Sequence, residues 1–232
     1  MTQYVIGYGM GRCGTKSLAY LLNLQPDSSF THELDGLHWQ TVFSNYRMIR
    51  DLFKRKAEKY KFVGDVNYAW AQYALRVVED FPCVKFIHIW RDKEESVESF
   101  WKLSQARIEA QKTVSLWAEE SLWYTIYPFF GFPPTKDQIA NTYEIFHKIA
   151  ETMMYKYPRQ TYTIKMDSLN NTDSIKKLLD FVGIPEKEQV VQKVQANKGG
   201  SAKMEFNVVQ RGGVDEKYHC VMKAGISLKA SA

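Results

Sequence analysis

Residues 8–17 read YGMGRCGTKS, and they follow the short apolar run YVIG at residues 4–7. A strand that enters a glycine-rich turn and then a helix is the setting of a phosphate-binding loop. The helix N-terminus there supplies N–H groups without intrahelical partners and the positive end of a dipole. Gly9, Gly11 and Gly14 let the backbone approach an anion, Thr15 and Ser17 add hydroxyls, and Arg12 and Lys16 add cations. The triphosphate pattern G-x-x-x-x-G-K-[ST] nevertheless misses by one place. Counted from Gly9, Thr15 stands where the lysine belongs and Lys16 comes one residue late. Which anion the loop holds is therefore decided elsewhere in the chain.

Working outward, apolar or β-branched runs predict strands at 3–8, 28–33, 61–66, 84–90 and 161–166. Helical patterns fall at 17–24, about 38–60, 69–81, about 94–125, about 136–156 and 174–183, the last stopped by Gly183 and Pro185. Strands alternating with helices predict an α/β fold of three layers, a central, mostly parallel sheet with helices on both faces. Ligands of such folds gather at the carboxyl ends of strands. Two loops meet that condition, the one after 3–8 and the one after 84–90.

In the second of these, Arg91 directly follows the strand VKFIHIW (84–90), and Ser99 lies about two helical turns further on. An arginine at a strand end and a serine on the next helix can grip one phosphate from two sides, the arginine through bidentate charge-assisted bonds.

Taken together, the two loops resemble those of the sulfotransferase superfamily that uses 3′-phosphoadenosine 5′-phosphosulfate (PAPS). There the first loop reads approximately [RK]-[SG]-G-T-[TSR]; here it is Arg12-Cys13-Gly14-Thr15-Lys16. The family's second signature is a strand-end Arg with a Ser eight residues later, matched here by Arg91 and Ser99. The flanks FVGD (62–65) and FPCVKFI (81–87) match as well, and DSL (167–169) with LLDFVGIP (178–185) resembles a later strand–helix stretch. The resemblance implies a P-loop-like fold and one sulfotransferase-like domain over residues 1–232. It leaves a helical elaboration around 94–157 and a weakly patterned segment from about 197. It implies that Gly11–Ser17 hold the 5′-phosphosulfate and that Arg91 and Ser99 hold the 3′-phosphate. The family's C-terminal R-K-G segment is matched weakly by QRGGVDEKY, with Arg211, Gly212 and Lys217, or by NKGG with Lys198.

This reading also accounts for the displaced lysine. A triphosphate loop presents its lysine to the β/γ-phosphates and a hydroxyl to Mg²⁺. A sulfuryl group carries less charge, and the family needs no metal, so none is expected here. Arg12 and Lys16 are then cations for the charge that develops on the bridging and leaving oxygens. The acceptor, a small molecule or carbohydrate with a hydroxyl or amine, needs a general base. The family's K-T-H histidine has no counterpart in GDVNY (64–68). Other members of the family use a glutamate in the segment after the first helix, and the resemblance therefore implies Glu33 in FTHEL as first candidate, then Asp65, then His32.

Composition limits the alternatives. The net charge of +5, from 31 basic and 26 acidic residues, suits an anionic ligand but is too small for a nucleic-acid partner without a concentrated stripe. The basic run at 54–61 reads as a solvated helix face. Three cysteines without a C-x-x-C pair indicate neither a disulfide framework nor zinc. No signal peptide or membrane anchor is expected, which favours a cytoplasmic protein. A cysteine phosphatase would need arginine six places after Cys13, where Ala19 stands. The rivals that remain are an Mg-dependent P-loop nucleotide or small-molecule kinase, using Asp65 or Asp92, and a non-catalytic PAPS-fold binding protein. His38, Trp39, Tyr68, Trp70, Trp101, Trp117 and Trp123 fall near the expected cleft, where most serve the core and some line an acceptor pocket.

Overall fold

The computed structural model describes residues 2–34, 46–111 and 134–194. Backbone contacts divide the chain into Met1–Ala202 and Lys203–Ala232, and all described residues lie in the first unit. His38, Trp39, Trp117, Trp123, Lys198, Arg211, Gly212 and Lys217 fall outside the described residues.

The strands are β1 (Gln3–Tyr8), β2 (Ser28–His32), β3 (Phe62–Val66), β4 (Lys85–Trp90) and β5 (Thr161–Lys165). The helices are α1 (Thr15–Asn23), α2 (Tyr46–Ala57), α3 (Trp70–Asp80), α4 (Lys93–Gln111), α5 (Lys136–Lys156) and α6 (Thr172–Val182). A 3₁₀ turn, Met166–Asn170, joins β5 to α6. The five strands form one parallel sheet in the order β2-β3-β1-β4-β5.

Strands β1 and β4 read as largely apolar runs because both faces of the sheet are covered there. Every residue of β3 is buried, as are the last four of β1. Successive side chains pass to opposite faces. Ile6, Tyr8, Val63 and Phe86 pack with Phe53 of α2, Trp70 and Val77 of α3, and Ile139 and Phe146 of α5. Val5, Val66, Ile87 and Ile164 pack on the other face with Leu18 and Leu22 of α1 and Leu178 and Val182 of α6. Tyr68 and Trp70 are core residues, and Trp101 packs against that core with the Lys136 ammonium 4.6 Å from its ring centre.

Helix ends follow their signals. Thr135 and Gln138 form a capping box at the start of α5. Gly183, at φ 94, closes α6 in the left-handed conformation that glycine adopts without strain. Helix α2 ends at Ala57, so the basic run straddles its end, where cations complement the dipole and Lys61 pairs with Asp27 at 2.8 Å. None of the described helices is long and apolar enough to cross a membrane.

Strand β1 lies between β3 and β4, and Tyr8 is in register with His88. The loops that leave β1 and β4 therefore start side by side at the carboxyl edge of the sheet.

Candidate functional site

The first loop is built on close approach. A Cβ on Gly9 would sit 2.2 Å from the Ile89 carbonyl oxygen, a backbone atom that cannot yield. The turn closes through a Cys13 N–H bond to the Met10 carbonyl at 3.2 Å. Arg12 at φ 75 and Gly14 at φ 92 both adopt left-handed backbone. For arginine this costs on the order of 1 kcal/mol, a strain typical of residues whose placement serves a site. Gly14 is the N-cap of α1, so no side chain caps that end, and its first turn holds no acid. The positive end of the α1 dipole thus faces a loop made of backbone, hydroxyls and cations.

The second loop packs directly on the first. Arg12 Nε donates to Ser99 Oγ at 3.3 Å, across 87 residues of sequence. Cys13 Sγ lies 3.4 Å from Ser96 Oγ, which donates in turn to the Arg91 carbonyl at 3.3 Å. Cys13 is 1% exposed, and burial pushes its thiol up to about 11. It is a packing residue with a weak hydrogen bond, not a thiolate nucleophile. The Arg91 guanidinium, half-buried, donates from Nε to Glu95 Oε2 at 2.7 Å. Glu95 escaped the sequence reading, although its i,i+4 spacing from Arg91 was the available signal.

At the end of β2, His32 Nε2 lies 3.1 Å from Thr15 Oγ1 and 3.7 Å from Glu33 Oε1. Burial, then the nearby Lys16 charge, holds the His32 imidazole down to about 4. Lys16, Thr15, His32 and Glu33 therefore form one group beside the first loop. Glu33 and Leu34 sit at φ 58 and 55, two successive non-glycine residues in left-handed backbone. They are held there by Glu33 N–H to the Val66 carbonyl at 3.1 Å and Leu34 N–H to Asp65 Oδ1 at 2.8 Å.

Asp65 is fully buried, and its carboxylate accepts directed bonds from Thr31, Leu34 and Trp70. Thr31 Oγ1 donates to Oδ1 at 2.7 Å, Leu34 N–H to the same oxygen, and Trp70 Nε1 to Oδ2 at 2.7 Å. This is the geometry of an anchor. Asp92, the other carboxylate a magnesium-dependent kinase would need, is paired with Lys165 at 2.7 Å. Gly14 meets Met166 after β5, where a Cβ would lie 2.6 Å from Met166 Cγ, so the turn that follows β5 backs the loop.

Half-buried His32 and buried His88 make acid stability testable. His32 is held down to about 4, and His88, buried and beside His147, down to about 3. Above about pH 6.5 both the folded and the unfolded chain carry these rings neutral, so neither ring affects stability. Below it the unfolded chain takes up protons that the folded chain refuses, and stability falls until the folded values are reached. Between pH 6.5 and 4 the loss should be roughly 3 kcal/mol per histidine. We expect the unfolding free energy to drop steadily from pH 6.5 to 4, with a smaller drop in His32→Gln, by denaturant titration at each pH. A flat profile would refute it.

A family model described as a sulfotransferase domain matches residues 4–186. No curated protein matches the chain by sequence. A sulfotransferase domain from the curacin biosynthetic pathway superposes with a TM-score of 0.52 at 14% identity, over 87% of this chain and 81% of that one. A sulfotransferase from Alicyclobacillus acidocaldarius gives 0.49 at 16% identity, over 80% and 82% of the two chains. Identities of this size speak for the fold alone. The family match takes in the loops after β1 and β4, and so the chain belongs to the sulfotransferase domain family, with that family's P-loop-like α/β fold.

Proposed function

We propose that the chain moves a sulfuryl group from PAPS to a hydroxyl or amine of a small-molecule or carbohydrate acceptor, leaving 3′,5′-bisphosphoadenosine. The observation that carries this reading is the Arg12 Nε–Ser99 Oγ bond, which joins the ends of the two motifs into one cluster. When bound, the donor supplies an activated sulfuryl group on a phosphate leaving group. Gly11–Ser17 and the start of α1 suit its 5′ end, because backbone N–H groups, two hydroxyls and two cations converge there. Arg91 and Ser99 suit the 3′-phosphate, whose recognition requires Arg91 to exchange or share its bond to Glu95. Arg12 and Lys16 stabilise charge that grows on the transferring and leaving oxygens. Glu33, beside His32 and the loop, takes the acceptor proton. We place the reaction in the cytoplasm, where free thiols such as Cys13 and Cys83 persist.

The test is ligand-induced melting shift followed by binding titration. 3′,5′-Bisphosphoadenosine should raise Tm without Mg²⁺, and it should bind more tightly than AMP. Arg91→Ala removes charge-assisted bonds worth about 1.5–3 kcal/mol each, so that preference should fall by roughly 10²-fold. Stabilisation only by ATP with Mg²⁺ would establish the kinase reading instead.

A further inference from the structure

Arg91 is held at both of its ends. The guanidinium bonds to Glu95, and the backbone carbonyl accepts two hydroxyls. Tyr143 donates to that carbonyl at 2.7 Å, and Ser96 donates to it at 3.3 Å. The last β4–β5 register pair is Trp90 with Lys165, so Arg91 lies beyond the sheet's ladder and its carbonyl needs partners of another kind. Tyr143 comes from α5, which belongs to neither loop. It is 7% exposed, and its ring sits 4.3 Å from that of His147. Burial, reinforced by nearby anionic groups, raises its hydroxyl to about 12, so it stays a protonated donor across the neutral range.

We propose that Tyr143 is a positioning residue for recognition of the 3′-phosphate: it fixes the Arg91 peptide at the end of β4 and so aims the guanidinium. Ser96 is its second clamp and ties the same carbonyl to Cys13 of the first loop. The proposal rests on the PAPS reading given above. Its physical basis is geometric. Bidentate contact with a phosphate demands a set orientation of the arginine fork. A side chain this long delivers that orientation only from a fixed backbone, and ordering the backbone beforehand lowers what binding must expend.

The experiment measures equilibrium binding of 3′,5′-bisphosphoadenosine and of AMP to the wild-type chain, Tyr143→Phe and Ser96→Ala. Phenylalanine keeps the ring packing and deletes only the donor. The bisphosphate-to-AMP preference should fall about three- to tenfold in Tyr143→Phe, the range of one neutral hydrogen bond, with AMP affinity unchanged. Ser96→Ala should lower the same preference. An unchanged preference in both variants overturns the positioning role. Equal weakening of both ligands in Tyr143→Phe also overturns it, because a general packing role predicts that result. A wild-type chain that shows no preference for the bisphosphate overturns the PAPS reading itself, and this inference with it.

Discussion

Arg12→Ala is expected to lower kcat for sulfuryl transfer by about 10²–10³-fold, the loss typical when one preorganised charge-stabilising donor is removed. Affinity for 3′,5′-bisphosphoadenosine should change by less than tenfold, since that ligand lacks the transferring group and Arg91 and Ser99, proposed to hold its 3′-phosphate, are unaltered. The backbone allows a clean reading. Alanine at φ 75 carries the same left-handed strain as arginine, so the substitution removes the guanidinium without relaxing the loop. Arg12 is also exposed, and among the described residues its side chain bonds to Ser99, so little folding stability is lost. Arg12→Lys should recover part of kcat, because an ammonium keeps the charge but not the planar fork that reaches Ser99. Lys16→Ala should cost less than Arg12→Ala. If Lys16→Ala proves the larger loss, the displaced lysine is the principal cation and the role assigned to Arg12 is wrong. Steady-state kinetics with a saturating donor, together with bisphosphate titrations, decide the matter.

Most of the fold was legible because a parallel sheet covered on both faces writes itself as apolar runs. Ile6 and Val5, or Phe86 and Ile87, serve opposite cores, yet they look alike in sequence. The strand ends followed from those runs, and with them the places of the loops after β1 and β4. Proximity was a different matter. Neither motif alone says that Arg12 reaches Ser99; that contact exists because β1 and β4 are neighbours, and strand order is a property of the whole sheet.

The rest depended on tertiary partners. Tyr143 matters through one hydroxyl aimed by the docking of α5, and nothing in the helical pattern of residues 136–156 distinguishes it from a core aromatic. Left-handed backbone at Arg12, Glu33 and Leu34 has no sequence signal either, because none is a glycine. Asp65 stood as a candidate base on its place near the carboxyl end of a strand, where ligands of such folds gather. Its donors Thr31, Leu34 and Trp70 come from β2, the turn after it, and α3, so its engagement became visible only when those segments were brought together.

The contrast between Asp65 and Glu33 yields the sharpest mutational prediction. Glu33→Gln should reduce kcat by about 10²–10⁴-fold, the range of a general base in the transition state. Donor affinity and Tm should hold, since glutamine keeps the size of the side chain and the backbone bond to Val66 is untouched. Asp65→Asn should behave in the opposite way. An asparagine there must turn its NH₂ toward either the Trp70 indole N–H or the Thr31 and Leu34 donors, so a donor meets a donor in a fully buried place. Leaving such groups unpaired costs about 1–3 kcal/mol each, which lowers Tm by several degrees in a domain of this size. Turnover in Asp65→Asn would then fall only as far as the strained Glu33–Leu34 turn relaxes, and Trp70 fluorescence would report that relaxation. His32→Gln separates the remaining candidate. The ring is held down to about 4, so it is already neutral and weakly basic at neutral pH. Its loss should disturb the Thr15 contact and donor KM more than kcat. Full turnover in Glu33→Gln, with loss in Asp65→Asn at unchanged Tm and tryptophan signal, would reverse the assignment.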